Sequence, residues 1–260
     1  MKAMILAAGQ GTRLKKYTQG LPKGMLPFMG KTIIERQIET YRACGISDII
    51  IVKGYAAEKI TYDGITYFTN TKYDTTNMVE SLMTARESLD DDIIVSYSDI
   101  LFTADMLKRM MASTADFVVA VDDAWKEYWQ ARYGQIDFDT ESLQINPDST
   151  IAQLGRENPN LGDIDARYVG LLKFSCIGVR RIVQIMEENY PQYEDKPWKQ
   201  SGKTIRQAYM TDLLQALIED GQRVMAERFE HGWIEFDTNE DYETACRWVK
   251  NGSINKFIVL

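Results

Sequence analysis

Two glycines, an arginine and a lysine near the start of the chain have the residue types and spacing of a phosphate site. Gly9 and Gly11 lie in the run Leu6-Ala-Ala-Gly-Gln-Gly-Thr-Arg-Leu14, directly after a short apolar segment. Glycines carry no Cβ and can take positive φ, so consecutive backbone N–H groups can close on an anion. Arg13 offers a fork of donors that suits phosphate, and Lys23 offers a mobile point charge. The pattern predicts a site for a nucleoside triphosphate.

Acidic residues at two later positions could hold a metal ion beside those phosphates. Asp99 follows a buried apolar run, where open parallel sheets place their ligand crevice. Glu235 and Asp237 are two apart in a strand-like segment, so their side chains would share one face. Carboxylate oxygens suit Mg2+, which bridges phosphates. These three acids are therefore candidate Mg2+ ligands. The other interpretations are a turn cap for Asp99 and a solvated strand edge for the later pair.

Two commoner glycine motifs do not fit the run. A dinucleotide-binding loop needs a third glycine where Leu14 stands and an acid at the end of the second strand, whereas Glu35 lies inside a predicted helix. A Walker loop needs a Gly-Lys-Ser/Thr sequence that is missing at the right spacing. The remaining alternative is a structural turn rich in small residues.

The elements that must position these residues alternate between strands and helices. Apolar runs predict strands at residues 3–6, 48–53, 64–69, 92–96 and 116–121, with helices at 32–42, 77–89 and 103–112. This spacing is typical of right-handed parallel βαβ units. The alternation weakens after Val121, and residues 135–174 read as an antiparallel addition on the sheet edge, with 167–174 as its strongest strand. The remaining pattern predicts helices at 179–188, 210–219 and 241–249, strands at 223–229 and 233–236, and a polar loop at 189–203.

Composition sets limits on location and partners. Hydrophobic residues make up 45% of the 260 residues, which is enough for a full core. The net charge of −8 argues against nucleic acid or an anionic membrane surface as the main partner. No apolar stretch approaches the roughly 18 to 20 residues of a membrane span, and no secretion signal precedes the first strand. The three cysteines form no close pair, so we expect a cytoplasmic protein with reduced thiols.

The combined N-terminal motifs resemble those of the nucleotidyltransferases that make NDP-activated metabolites. The glycine run followed by Leu21-Pro-Lys-Gly-Met-Leu-Pro27 carries this resemblance. It implies a single Rossmann-like α/β domain over residues 1–260, a three-layer sandwich of the GT-A-like kind. It also implies that base and phosphates contact Leu6, Ala7, Ala8, Gly9, Gly11, Thr12 and Arg13, with Lys23 on the phosphates. Asp99 matches the family's metal-binding aspartate, and Ser98 stands in the nucleotide site where the family commonly has glycine.

Later segments are similar to the branch of cytidylyltransferases that act on phosphocholine and phosphoglutamine, the latter for capsule decoration. These segments include residues 73–81, 120–125, 166–174 and 209–213. The resemblance implies that Asn77 and Ser81 contact base or ribose, although an asparagine at a helix start is most often an N-cap. It also makes residues 122–175 an acceptor-side insertion within the domain.

Four residues are candidates for the acceptor side. Trp125 and Arg132 lie in an aromatic segment whose spacing places them on one side of a helix. A packed helix face is the interpretation that the spacing favours. The alternative is an acceptor pocket, with rings for a cationic amine and Arg132 for a phosphate or carboxylate. Gly170 and Lys173 follow on the next strand, where Lys173 could equally be a surface lysine. His231, the only histidine, is predicted to be a turn residue.

The expected reaction is Mg2+-dependent transfer of CMP from CTP to a small phosphorylated or phosphonate metabolite, with release of pyrophosphate. Lys23 and Arg13 would be the catalytic cations. The nearest alternative is a sugar-1-phosphate nucleotidyltransferase that uses dTTP or UTP. An inactive nucleotide-binding regulator is the alternative from another class. The sequence leaves the acceptor and the oligomeric state open, with a homodimer among the options.

Overall fold

A computed structural model describes all 260 residues, and its elements largely follow the predicted alternation. The strands are β1 Lys2–Ala7, β2 Pro27–Phe28, β3 Lys31–Thr32, β4 Ile49–Lys53, β5 Thr66–Thr69, β6 Ile93–Tyr97, β7 Ile100–Phe102, β8 Phe117–Asp122, β9 Glu141–Ile145, β10 Ile151–Glu157, β11 Arg167–Phe174, β12 Val224–Phe229 and β13 Trp233–Glu235. The α-helices are α1 Ile33–Ala43, α2 Met78–Thr84, α3 Ala104–Ala112, α4 Trp125–Tyr133, α5 Cys176–Tyr193, α6 Met210–Glu219 and α7 Asn239–Asn251.

A seven-stranded sheet in the order β12-β8-β11-β6-β1-β4-β5 forms the centre of the molecule. Strand β1 lies between β4 and β6 and runs parallel to both. The order reverses beside β1, which is the point where open α/β sheets form a crevice outside the carboxyl ends of their strands. The predicted mostly parallel α/β fold is therefore confirmed.

The antiparallel part of the sheet lies partly elsewhere than predicted. Strand β11 is antiparallel, but it pairs with β6 on one side and β8 on the other, inside the sheet. Six consecutive residues from Val169 are buried, as expected for a strand that is covered on both faces. The predicted position of this strand at an edge was therefore wrong. The separate ribbon β9–β10 does lie beside the edge strand β12, where Ala226 N donates to Ser149 O at 2.9 Å.

Helices cover both faces of the sheet and make it the middle of three layers. Alternate residues of β1 face opposite cores: Ile5 packs on the side of α1, α3, α4 and α7, and Met4 packs on the side of α2, α5 and α6. Two helix boundaries differ from the prediction. Helix α2 ends at Thr84, before a 3-10 turn, and α5 continues to Tyr193 with Pro191 in its last turn. None of the helices combines the length and the apolar character that crossing a membrane requires.

A short antiparallel ribbon joins two distant parts of the chain at the carboxyl end of the sheet. Strand β13 pairs with β7, with Glu235 opposite Ile100. The next backbone bond continues the pairing, as Phe236 N donates to Asp99 O at 2.9 Å. The loops that carry Asp99 and Asp237 are therefore adjacent.

A buried ion network built on Arg132 holds that ribbon against α4 and α7. The guanidinium donates to both carboxylate oxygens of Asp241, at 2.6 and 2.8 Å, and to Glu235 Oε2 at 2.6 Å. Asp241 Oδ2 also accepts from the backbone N–H groups of Asp237, at 3.1 Å, and Thr238, at 2.7 Å. The side chains of Arg132 and Asp241 are each only 1% exposed. The network thus fixes the backbone on both sides of Asp237.

His231 lies in the turn between β12 and β13, as predicted. Its backbone has φ 62°, and its ring edge meets the Phe257 ring. The imidazole Nε2 is 3.0 Å from Glu127 Oε2, and Nδ1 is 3.6 Å from Asp122 Oδ2. The two carboxylates outweigh partial burial and raise the pKa of the His231 imidazole above its ordinary value.

Replacing Arg132 by methionine is expected to destabilise the fold strongly. Methionine fills similar space but leaves the carboxylates of Glu235 and Asp241 without their buried cation, which typically costs about 3–5 kcal/mol. Urea unfolding at neutral pH measures the loss. Arg228→Met is the matched control, because Arg228 makes a half-exposed pair with Asp123 that contributes at most about 1 kcal/mol. Equal losses in both variants would contradict the assigned role of the network.

The single histidine allows a direct titration. Because its pKa is raised in the folded state, protonated His231 contributes stability that is complete below pH ~6.5 and is lost as pH rises through the folded pKa. We expect the imidazole C2 proton in NMR spectra to titrate at higher pH in the native protein than in urea. Titration at the same or a lower pH would mean that Asp122 and Glu127 do not stabilise the charged ring.

Candidate active site

A two-lobed cleft opens at the carboxyl ends of β1 and β6. One lobe, of about 390 Å³, borders the glycine run and is called the loop lobe here. The other, of about 460 Å³, borders the ribbon β9–β10 and strand β11 and is called the ribbon lobe. The residues that line both lobes are Arg13, Lys23, Met78, Tyr97, Asp99 and Asp237. The cleft therefore offers two adjoining compartments that meet at a cluster of charged side chains.

The glycine run forms the floor of the loop lobe. Gly11 has φ 65° and precedes the 3-10 turn Thr12–Leu14, so the left-handed conformation expected of a glycine is present there. Gly9 was expected to share it, but its φ is not positive. Of the predicted nucleotide contacts in the run, those that line this lobe are Leu6, Ala8, Gly9, Gly11, Thr12 and Arg13. Ala7 packs into the core instead, because alternate residues of β1 face opposite sides.

Lys23 sits between two carboxylates where the lobes meet. Its Nζ is 2.5 Å from Asp99 Oδ2 and 2.5 Å from Asp237 Oδ1. Burial alone would lower the pKa of the Lys23 ammonium, but the two carboxylates raise it above its ordinary value. Burial likewise disfavours the charged Asp237, yet Lys23 and then Arg13 hold the pKa of that carboxyl below its usual range. Lys23 and Asp237 thus stabilise each other in the charged form.

Arg13 connects the glycine run to the wall of the ribbon lobe. Its guanidinium pairs with Asp237 and, at 3.1 Å, with Asp139 Oδ2. The Arg13 side chain is nevertheless 58% exposed, in contrast to 12% for Lys23. An exposed cation at the junction can exchange a carboxylate partner for a phosphate, because both accept the same fork of donors.

The predicted metal ligands are only partly assembled. No group of three or more histidine, cysteine or acidic side chains is placed to hold a metal ion. Glu235 Oε2 accepts from Arg132 Nη1 at 2.6 Å, and the role of Glu235 as a metal ligand stays a prediction. Strand β13 ends at Glu235, so Asp237 lies beyond it and the alternation of strand side chains does not apply. Asp99 and Asp237 do face one another, and Asp99 Oδ1 is buried without a hydrogen-bond partner. These carboxylate oxygens are donors that fit a hard divalent cation.

The remaining nucleotide candidates border the loop lobe. Asn77 is the N-cap of α2, with its Oδ1 accepting from Met78 N at 2.9 Å. The Ser81 hydroxyl accepts from Asn70 Nδ2 at 3.1 Å and donates to Asn77 O. Ser98 lines the lobe and packs against Gly24 so closely that a Cβ on that glycine would lie 2.9 Å from the Ser98 Cβ. The same lobe therefore contains all three side chains.

Gly170 borders the ribbon lobe, as an acceptor-side residue would. It has φ 82° in an irregular stretch of β11, and a Cβ there would lie 2.7 Å from the Tyr97 ring. The missing side chain lets Tyr97 lie across the junction of the lobes, where its hydroxyl is 2.9 Å from that of Tyr168.

The other three acceptor-side candidates do not reach the cleft. Trp125 is 1% exposed and belongs to the core, so the packed helix face is the correct interpretation of its segment. Arg132 is committed to Asp241 and Glu235. Lys173 is 2% exposed and donates to Ala115 O at 2.8 Å. Because β11 is antiparallel, its later residues point away from the cleft end of the sheet, and Lys173 lies opposite Ile94 near the start of β6.

Several lining residues had no signal in the sequence. Asp139 comes from the irregular stretch after α4, Glu141 is the first residue of β9, and Tyr97 was predicted only at the end of a strand. Each reaches the ribbon lobe because β11 lies between β6 and β8. These residues could have been assigned to the cleft only by predicting that β11 lies inside the sheet.

Comparison with known proteins agrees with this architecture. The family model of the MobA-like NTP transferase domain matches residues 3–153. The CTP:phosphoglutamine cytidylyltransferase of Campylobacter jejuni is 33% identical over 256 residues, covering 94% of this chain and 98% of that protein. The choline-phosphate cytidylyltransferase of Streptococcus pneumoniae is 34% identical over 150 residues, which is 56% of this chain and 64% of that protein.

The fold is also shared with solved structures. The CTP:phosphocholine cytidylyltransferase of Streptococcus pneumoniae superposes with a TM-score of 0.71 at 23% identity, covering 95% of this chain and 98% of that one. At this identity the similarity establishes the fold. Together with the family model and the relative that matches along nearly its whole length, it shows that the chain belongs to the MobA-like NTP transferase family and is a nucleotidyltransferase.

Proposed function

We propose that the protein transfers CMP from CTP to a small phosphorylated or phosphonate metabolite and releases pyrophosphate. The observation that carries the proposal is the two-lobed cleft whose compartments meet at Lys23, Asp99 and Asp237. A transfer between two substrates requires two adjoining compartments, because the acceptor must lie next to the nucleotide phosphorus that it attacks. The choice of CTP is supported by two of the relatives that match the chain, a CTP:phosphoglutamine cytidylyltransferase and a choline-phosphate cytidylyltransferase.

In this proposal the loop lobe holds the nucleotide. Backbone N–H groups around Gly11 and the guanidinium of Arg13 bind the β- and γ-phosphates. Asn77, Ser81 and Ser98 line the same lobe and contact base or ribose. Arg13 gives up its contact with Asp139, and the phosphate replaces that carboxylate on the same donors.

The ribbon lobe holds the acceptor, and residues 122–175 supply half of the residues that line it. An oxygen of the acceptor phosphate or phosphonate attacks the α-phosphorus of CTP and forms a new P–O bond. The bond from that phosphorus to the β-phosphate oxygen breaks, and pyrophosphate leaves. The acceptor oxygen is already anionic at neutral pH, so no general base is needed. Lys23 neutralises the charge that accumulates on the α-phosphate.

Asp99 and Asp237 would hold a divalent cation, and we propose Mg2+. Such an ion supplies positive charge to phosphate oxygens when bound. The two side chains offer carboxylate oxygens on facing loops, including the unpartnered Oδ1 of Asp99. Lys23 contacts both acids and holds them facing one another, which prepares them as ligands. We further propose a cytoplasmic location, where the three free cysteines stay reduced.

Pyrophosphate release tests the proposed reaction. The purified protein is assayed with Mg2+, each of CTP, UTP, dTTP, ATP and GTP, and a panel of phosphorylated amines, amino acids, phosphonates and sugar 1-phosphates. We expect release with CTP and a phosphorylated or phosphonate metabolite. Release with UTP or dTTP and a sugar 1-phosphate only would replace the proposal by the sugar-nucleotide alternative. No release with any pair would favour a regulator that binds nucleotide.

Lys23→Ala is expected to lower turnover by about 100-fold or more, because one preorganised charge at the reacting phosphate is lost. Steady-state kinetics with CTP and the best acceptor measure the effect. Lys16→Ala is the control, since Lys16 is exposed, pairs with Glu243 and lies outside both lobes. Thermal melting of both variants shows whether the folded fraction has changed. A loss of activity no larger than the loss of folded protein would contradict the assignment.

A further inference from the structure

The charges in the ribbon lobe do not balance. Its acidic lining residues are Asp99, Asp139, Glu141, Glu157, Glu235 and Asp237, and its cationic ones are Arg13, Lys23 and Arg167. Four of the acids have cation partners in or beside the cleft, as described above. The carboxylates of Glu141 and Glu157 have neither a salt bridge nor a hydrogen bond. The lobe therefore presents two unpaired acids to whatever occupies it.

Glu141 is the more constrained of the two. It is the first residue of β9, is partly buried and stands directly opposite Glu157 in the β9–β10 ribbon. Like charges directly opposite in a ribbon are unfavourable. Burial raises the pKa of the Glu141 carboxyl, Arg167 lowers it, and Asp139 and Glu157 raise it further. Among the neighbouring groups, Arg167 alone therefore favours the charged form of Glu141.

Arg167, the cation that favours the charged form of Glu141, is already engaged. Its Nη2 donates to Asp139 O at 3.0 Å, and its guanidinium lies 4.5 Å from the centre of the Trp129 ring. These contacts hold Arg167 against the outer wall of the lobe. No salt bridge connects it to Glu141. Glu141 therefore has no ion-pair partner within the chain.

The surroundings of Glu141 suit an organic cation. Tyr97 and Tyr168 form an aromatic wall of the same lobe, and Tyr209 lies across it. An ammonium group beside a carboxylate and the faces of tyrosine rings is stabilised by both. The lobe opens at the other end onto Lys23, which would receive the acceptor phosphate.

We propose that Glu141 is the counter-ion for a cationic nitrogen on the acceptor, so the acceptor class is a small metabolite that carries an ammonium group at one end and a phosphate or phosphonate at the other. This proposal rests on the cytidylyltransferase function proposed above. It makes Glu141 a residue that determines specificity, with Glu157 at the rim of the same site.

Pairs of acceptors that differ only in charge test the assignment. Phosphoethanolamine is compared with propyl phosphate, and phosphocholine with 3,3-dimethylbutyl phosphate, by kcat/KM for pyrophosphate release with CTP. We expect the native protein to prefer the cationic member of at least one pair by about 10- to 100-fold, the range of a hydrogen bond to a charged group. The pair with the larger preference distinguishes a primary from a quaternary ammonium.

Glu141→Gln keeps the size of the side chain and removes its charge, so it should abolish most of that preference. Glu87→Gln is the control, because Glu87 is exposed in the turn that precedes β6, at the opposite end of the sheet from the cleft. This control should retain the native ratio. Thermal melting verifies that the Gln variants are folded. Equal use of both members of each pair by the native protein, or a preference that survives in Glu141→Gln, would overturn the proposal.

Binding without turnover separates this inference from the proposed reaction. Calorimetric titration of phosphoethanolamine and propyl phosphate into the native protein and Glu141→Gln needs no nucleotide. If no nucleotide supports release, the proposed reaction fails, yet tighter binding of the amine that depends on Glu141 still supports the ammonium site. Equal binding of both compounds would exclude it.

Discussion

Four carboxylates lie together at one end of the sheet, and the cations between them keep them in place. They belong to Asp99, Asp237, Glu235 and Asp241. Lys23 joins the first two acids, Arg132 joins the last two, and Arg13 reaches Asp237 from the opposite side. Buried charges are stable only when paired and hydrogen-bonded, so the geometry of the cleft follows from this pairing. The three cations therefore have different roles. Arg132 is sealed off and holds the backbone, whereas Lys23 and Arg13 border the cleft and remain available to substrate.

The two lobes differ in how their charges are completed. In the loop lobe, the glycine run and Arg13 present donors that need an anion. In the ribbon lobe, Glu141 and Glu157 present acceptors that need a cation. A nucleotide would supply the anion in the loop lobe, and an acceptor with a positive and a negative group would supply the cation in the ribbon lobe. The anionic ends of both substrates would then meet at Lys23. Electrostatic complementarity of this kind contributes to specificity and orientation more than to affinity.

The sequence predicted the α/β fold class and most of the residues that line the loop lobe, where local patterns decide the structure. The strands and helices around β1 follow the period of their apolar residues, and the glycine run has a recognisable composition. It was insufficient where long-range contacts decide. Trp125, Arg132 and Lys173 are residue types that suit a ligand, but their partners lie in distant segments and bury them. Glu141 was not predicted as a site residue, because it borders the cleft only when β11 lies inside the sheet. The alternation expected for Glu235 and Asp237 does not apply, since β13 ends at Glu235, two residues before Asp237.

The contact between Lys23 and Asp237 spans 214 residues of chain, and that between Arg132 and Asp241 spans 109. A nascent chain emerging from the ribosome therefore completes its first strands, including β6 and β7, long before β13 arrives. Until then Asp99 lacks the facing loop, and the apolar residues of β7 lack their only partner strand. Domains acquire stable structure as their last long-range contacts form, and exposed strand edges invite aggregation meanwhile. The cleft is thus among the last parts of the molecule to form, and a chain released before its final segment has neither the site nor a covered edge.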